Sequence, residues 1–256
     1  MIRSISITCL FIGTLSFVAA QDTYSVYKAL PDAGIPCRVM KPIKFDITKK
    51  YPVILSLHGA GGKGTNNRKQ LKDWNRQLAD PKRRAQFPCY VVAPQAPGLW
   101  NAEQLKIIQK IIAKLPSVDM DRIYIMGHSM GGHGTYIFIQ LAPNYFAAAS
   151  PSAGSGLRRT GEFIDPKKIK DIPIWAFHGN KDGVCPYAKQ LKVFNALKKL
   201  NGNMKQTTWQ GDNHGISSKM IEPTDTGKTE YSSNRCDKES DFLTWLFKQN
   251  RGLRKN

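Results

Sequence analysis

A chain of 256 residues with 41% hydrophobic content can bury one good core, and no charge block or low-complexity linker divides it, which excludes a string of separate domains. The formal charge of +19, from 38 Lys and Arg against 19 acids, would concentrate anionic polymers around the protein. The basic residues are nevertheless scattered, as in NNRKQLK, PKRR and LKVFNALKK, and no recognised nucleic-acid module contains them; a specific nucleic-acid reader is excluded, a solvated basic surface is the plainer reading, and anionic polysaccharide stays a candidate partner.

Residues 1–20 have a basic start at Arg3, an apolar run from Ile5 to Val18 and small residues before Gln21. They are expected to be a secretory signal peptide, leaving 21–256 as one domain that is exported, extracellular or periplasmic. No other stretch is long enough to cross a bilayer, so no membrane span is expected in the mature protein. Export makes Cys37, Cys89, Cys185 and Cys236 candidates for disulfides, with Cys37–Cys89 and Cys185–Cys236 the favoured pairing and four buried thiols the alternative. No Cys or His spacing resembles a metal site, and neither metal nor cofactor is expected.

YSVYKAL and CRVMKP alternate in the β manner around the turn-rich PDAGIP, which predicts an antiparallel N-terminal hairpin. PVILSL, YVVAP, RIYIMG, FAAASP and IPIWAF then read as strands buried on both faces of a parallel sheet, followed by the more polar MKQTTWQ. Helical stretches lie between them, around Leu71–Leu78, Gln104–Leu115, Gly132–Leu141 and Tyr187–Leu200, and DFLTWLFKQ closes the chain. This alternation predicts an α/β fold with a mostly parallel central sheet flanked by helices on both faces, binding its ligand at the carboxyl ends of the strands. Each apolar run is indeed followed there by its unusual residues: HGAGG, PQAPGLW, GHSMGG, PSAGSG, HGNKDG and GDNHG.

In GHSMG, Ser129 would sit on a sharp strand-to-helix turn with its hydroxyl clear of the backbone. The pentapeptide alone is weak evidence; the strand before it and the helix after it carry the inference. A serine hydroxyl needs a base to take its proton and a third group to orient that base. His214 in GDNHG and Asp182 in HGNKDG follow in the required order. Asp212 is the rival acid, but it stands two residues before His214 and would struggle to reach the far ring nitrogen. His128 is assigned to the pocket lining or the scaffold, His133 to the following helix, and His58 and His178 to hydrogen bonds with loop backbone. Negative charge developing on a carbonyl oxygen needs N–H donors, for which the backbone of Met130 and of Ala60 are expected, with Gly61 the alternative to Ala60.

These motifs, KKYPVILSLHGAGGKGTNN, VVAPQAPGLW, VDMDRIYIMGHSMGGHGTY, FAAASPSAG, IPIWAFHGNKDGVCP and the His214 loop, together resemble the secreted α/β hydrolases of the esterase, feruloyl esterase and polyhydroxybutyrate-depolymerase-like group, also labelled phospholipase/carboxylesterase or predicted peptidase. The resemblance spans nearly all of the chain after residue 20 and implies the α/β-hydrolase fold, with Ser129, Asp182 and His214 as triad and donors near Ala60 and Met130. About twenty residues separate PSAGSG from IPIWAF, so the lid should be minimal and the site open. The polar stretch SSKMIEPTDTGKTEYSSNRC could overhang the crevice, tied down if Cys236 pairs with Cys185. Trp100 is a candidate substrate-binding wall or a packed core residue, and Tyr187 a further wall candidate or merely a helix start. The expected function is a serine carboxylic-ester hydrolase acting on small or polymeric esters, such as acetyl or feruloyl groups on polysaccharide. A serine peptidase of the same fold and a non-catalytic module for acidic glycans are the alternatives.

Overall fold

Five short apolar runs and one more polar run form the parallel centre of one sheet, and helices cover both of its faces. The computed structural model describes residues 23–155 and 163–254. The expected signal peptide lies outside the described residues. In chain order the strands are β1 (Tyr27–Ala29), β2 (Cys37–Met40), β3 (Tyr51–Leu57), β4 (Tyr90–Pro94), β5 (Val118–His128), β6 (Ala148–Ser152), β7 (Ile174–Gly179), β8 (Met204–Trp209) and β9 (Lys228–Tyr231). They pair in the order β1-β2-β4-β3-β5-β6-β7-β8-β9. β3 to β8 run parallel, whereas β1 and β2 form the antiparallel hairpin and β9 adds antiparallel to β8. This is the α/β-hydrolase fold.

The helices are α1 (Asp73–Leu78), α2 (Pro81–Gln86), α3 (Ala102–Lys114), α4 (Met130–Leu141), α5 (Pro166–Ile169), α6 (Tyr187–Lys199) and α7 (Phe242–Lys248). On one face Leu105, Ile108 and Ile112 of α3, Tyr136 and Phe138 of α4, and Phe194 and Leu197 of α6 pack on Val53, Leu55, Ile123 and Ile125. On the other, Trp74 and Leu78 of α1 and Phe242, Trp245 and Leu246 of α7 pack on Ile54, Val91, Tyr124 and Met126. The alternation of Cβ direction along each strand divides the two cores. α2 was hidden in the sequence by its charge: PKRRAQ has no buried residue, and it forms because Pro81 opens it and the Asp80 carboxylate accepts from the N–H groups of Lys82 and Arg83.

β8 reads as polar yet is buried along its whole length. Two of its polar side chains find partners inside: Lys205 Nζ donates to the Glu239 carbonyl at 2.5 Å and stands 3.7 Å above the Trp175 ring, and Thr207 Oγ1 accepts from Trp175 Nε1 at 2.9 Å. Burial pushes the Lys205 ammonium down to about 8.

Two expectations are corrected. Among the described residues Cys37, Cys89, Cys185 and Cys236 are all buried free thiols. Cys37 and Cys89 belong to the cores on opposite faces of the sheet, and Cys185 sits at the carboxyl end of the strands whereas Cys236 lies beside Met204 at the start of β8. No pair is placed for bonding. The stretch after His214 is not a crevice-covering loop throughout: residues 228–231 become β9 and shield the edge of β8.

Candidate active site

β5 delivers Ser129 to the carboxyl edge of the sheet. Its backbone is held at φ 58°, ψ −120°, a region L-residues avoid. The Ser129 N–H donates to the Ser152 carbonyl of β6 at 2.9 Å, and α4 starts at the next residue. The turn is tight enough to forbid side chains on both sides. A Cβ on Gly127 would lie 2.5 Å from the Gly131 carbonyl oxygen, and one on Gly131 would collide with the Leu57 carbonyl.

The loops after β7 and β8 bring in the other two groups. Their backbones are tied by Lys181 N to the Asp212 carbonyl at 2.8 Å and Asn180 N to the Trp209 carbonyl at 3.1 Å. His214 Nε2 lies 2.8 Å from Ser129 Oγ, and His214 Nδ1 lies 2.8 Å from Asp182 Oδ2. Asp182 Oδ1 accepts from the N–H groups of Val184 and Cys185, both at 2.8 Å. Burial by itself would raise the Asp182 carboxyl, but hydrogen bonds from His178, His214 and those two N–H groups outweigh it and hold the group well below the usual carboxylate range. Asp212 is turned elsewhere, paired with Lys219 at 2.5 Å.

The third element is the turn after β3, residues Ala60–Gly62. His58 anchors it from below: its Nε2 accepts from the Ala96 N–H at 2.9 Å, so its Nδ1 carries the proton and donates to the Gly59 carbonyl at 2.7 Å. A Cβ on Gly59 would come within 3.1 Å of the His128 carbonyl, so the turn lies directly against the serine turn. Ala60 opens a 3-10 turn and Met130 opens α4, and the first N–H groups of a helix have no partner within it. An oxygen bound between them could receive both.

A crevice of about 490 Å³ contains Ser129, His214 and His128, walled by the Gly59–Gly61 turn, Tyr24, Lys72, Trp74 and Val184. His128 lines it, its ring 4.8 Å from that of His214. Trp100 does not. It is 1% exposed and packed under the turn, against His58 and Phe138, with its Nε1–H donated to the His58 carbonyl at 3.3 Å. Tyr187 stands behind the acid, its ring 5.6 Å from His178 and its hydroxyl 3.1 Å from Thr208 Oγ1. His178 meets loop backbone as expected, its Nε2 contacting the Cys185 carbonyl at 2.8 Å, but sequence reasoning missed that it also lies 3.3 Å from Asp182 Oδ2, for which the acid four residues on was the available signal; it missed a second crevice residue too. Lys72 lines the crevice from a segment with no strand-end motif. Among the described residues no cluster of His, Cys, Asp or Glu is arranged to hold a metal, and no helix is long and apolar enough to cross a membrane.

Three histidines are held neutral chiefly by burial: His58 is pushed down to about 4, His128 to about 3 with the nearby His214 adding to the effect, and His133 to about 4 with help from Lys189. Depressed imidazoles bind fewer protons in the folded than in the unfolded chain between these values and the ordinary one near 6.5. Each therefore makes stability fall with falling pH, by up to about 1.4 kcal/mol per pH unit within that window. The melting temperature should drop steadily from pH 6.5 to 4.5. A flat profile would contradict the burial of these rings.

Residues 101–226, a span that includes Ser129, Asp182 and His214, match the model of the phospholipase/carboxylesterase family. Over 174 residues, 64% of the chain, the sequence is 28% identical to a bifunctional acetylxylan esterase/xylanase of Neocallimastix patriciarum, covering 24% of that protein. Among solved structures, a thermostable esterase superposes with a TM-score of 0.68 at 30% identity over 88% of the chain and 63% of the esterase. A ferulic acid esterase from Anaeromyces mucronatus shares the fold with a TM-score of 0.54 at 19% identity, over 72% of the chain and 80% of its own. The chain thus spans about a quarter of the curated relative and under two thirds of the first esterase.

Proposed function

We propose, from the chain's similarity to the phospholipase/carboxylesterase family and to a thermostable esterase, that it is a serine carboxylic-ester hydrolase working through an acyl-enzyme. The observation that carries the reading is the continuous chain of contacts from Asp182 through His214 to Ser129, 2.8 Å at each step, at the floor of an open crevice. Ser129 Oγ attacks the ester carbonyl carbon while His214 Nε2 takes its proton. The backbone N–H groups of Met130 and Ala60 receive the negative oxygen, each contributing on the order of a hundredfold or more in kcat. The intermediate collapses, His214 returns the proton to the departing alcohol, and water activated by the same imidazole releases the acid.

The substrates are acylated polysaccharides or other polymeric and aryl esters, acetyl and feruloyl esters first among them, and the enzyme is exported. Similarity to the acetylxylan esterase/xylanase supports the polysaccharide ester, and the apolar leader of residues 1–20 supports export. A fluorophosphonate should add its mass to the peptide carrying Ser129 and to no other. A panel of acetyl, feruloyl and long-chain esters compared by kcat/KM should favour the short acyl or feruloyl members. Modification elsewhere sinks the mechanism, and preference for long chains sinks the substrate class.

A further inference from the structure

The crevice holds a cation that the ester chemistry does not use. Lys72 lines it together with Ser129 and His214, and its Nζ stands 3.9 Å from where a Cβ on Gly61 would project, beside the turn that carries the Ala60 N–H. The residue is fixed from its backbone. Its N–H donates to Asn75 Oδ1 at 2.9 Å, and Asn75 Nδ2 and Trp74 Nε1 both donate to the buried Ser56 Oγ, at 3.0 and 2.7 Å. The side chain is half-buried, and burial lowers its pKa, with Lys69 adding to that effect and Asp73 opposing it. Among the described residues Lys72 makes no ion pair, although the exposed Asp73 follows it directly. Lys219, on the loop beyond His214, shows the contrast, being answered by both Asp212 and Asp225.

A cation half withdrawn from water and held in no ion pair is a cost that a bound anion offsets, and such charges gather at functional sites. We propose that Lys72 determines specificity by binding a carboxylate on the substrate, so that the enzyme favours acidic esters over their neutral counterparts. The inference rests on the serine-esterase reading of the same crevice. The recognised chemistry is a carboxylate reaching the Gly61 side of the crevice, whether it is carried by the acyl or by the alcohol part.

Two matched pairs separate those sources: mono-p-nitrophenyl adipate against its methyl ester puts the charge on the acyl side, and 4-acetoxybenzoate against its methyl ester puts it on the leaving side. After correction for spontaneous hydrolysis, the wild type should prefer the acid of at least one pair by about tenfold in kcat/KM. Lys72→Met should bring that ratio close to one, Lys72→Arg should keep most of it, and Lys72→Glu should invert it. Lys198→Met, on the exposed end of α6, should leave it unchanged. Ratios near one in the wild type, or a preference that survives Lys72→Met and so belongs to the overall charge, overturn the inference and leave the esterase reading standing. Hydrolysis of none of the four esters overturns the esterase reading and this inference with it.

Discussion

Ser129→Ala is expected to lower kcat on p-nitrophenyl acetate by about 10⁵-fold or more while changing KM little, because it deletes the attacking atom and leaves the crevice intact. A second variant separates chemistry from strain. At φ 58°, ψ −120° a side chain is held in a region that glycine alone occupies freely, at a cost of about 1–3 kcal/mol. Ser129→Gly should be as inactive as the alanine variant and, because strain relief exceeds the roughly 0.5–1 kcal/mol of added chain entropy, more stable than it by about 1 kcal/mol. Both variants lack the hydroxyl, so their difference in denaturant midpoint isolates the backbone term. An alanine variant as stable as the glycine variant would show that the strain in the turn is no larger than the chain entropy that glycine adds.

The parallel centre of the sheet was legible because burial on both faces leaves runs such as YVVAP almost purely apolar. The juxtaposition of Ser129, Asp182 and His214 was legible for a related reason: in a parallel sheet the strand ends converge, so their order along the chain becomes an arrangement in space. What failed to show was whatever depends on a partner distant in sequence. β9 is edge-polar and short, and only its pairing with β8 makes it a strand. Cys37 and Cys89 look like a plausible pair until the strands' alternation puts them on opposite faces. Trp100 follows a strand end, as a wall residue would, yet α4 closes over it: a Cβ on Gly134 would strike its indole. Lys72 carries no motif at all. It reaches the crevice because a buried serine, Ser56, collects two donors from the first turn of α1.

Asp182→Asn should lower kcat by about 10⁴-fold, close to the effect of losing the serine, although the residue stands one histidine away from the substrate. The carboxylate has no spare oxygen. Oδ1 accepts from two backbone N–H groups, of Val184 and Cys185, and Oδ2 faces His214 Nδ1 at 2.8 Å and His178 Nε2 at 3.3 Å. An asparagine must therefore keep its oxygen on the backbone pair and turn its NH₂ toward the imidazoles. His214 Nδ1 would then have to accept, which moves the ring proton to Nε2 and points a donor at Ser129 where a base is needed. His178 gives no relief, because its Nε2 contacts the Cys185 carbonyl, which can only accept, and so must carry a hydrogen toward the same amide. The substitution should also cost about 1–3 kcal/mol of stability at neutral pH from the broken buried contacts. The pH dependence gives the sign. A carboxyl held below its ordinary value adds stability that is fully present above about pH 4 and lost as pH falls toward the folded value. The stability gap between wild type and Asp182→Asn should accordingly narrow below pH 4, and a gap that stays constant there would show that the carboxylate's charge contributes nothing to holding the three loops together.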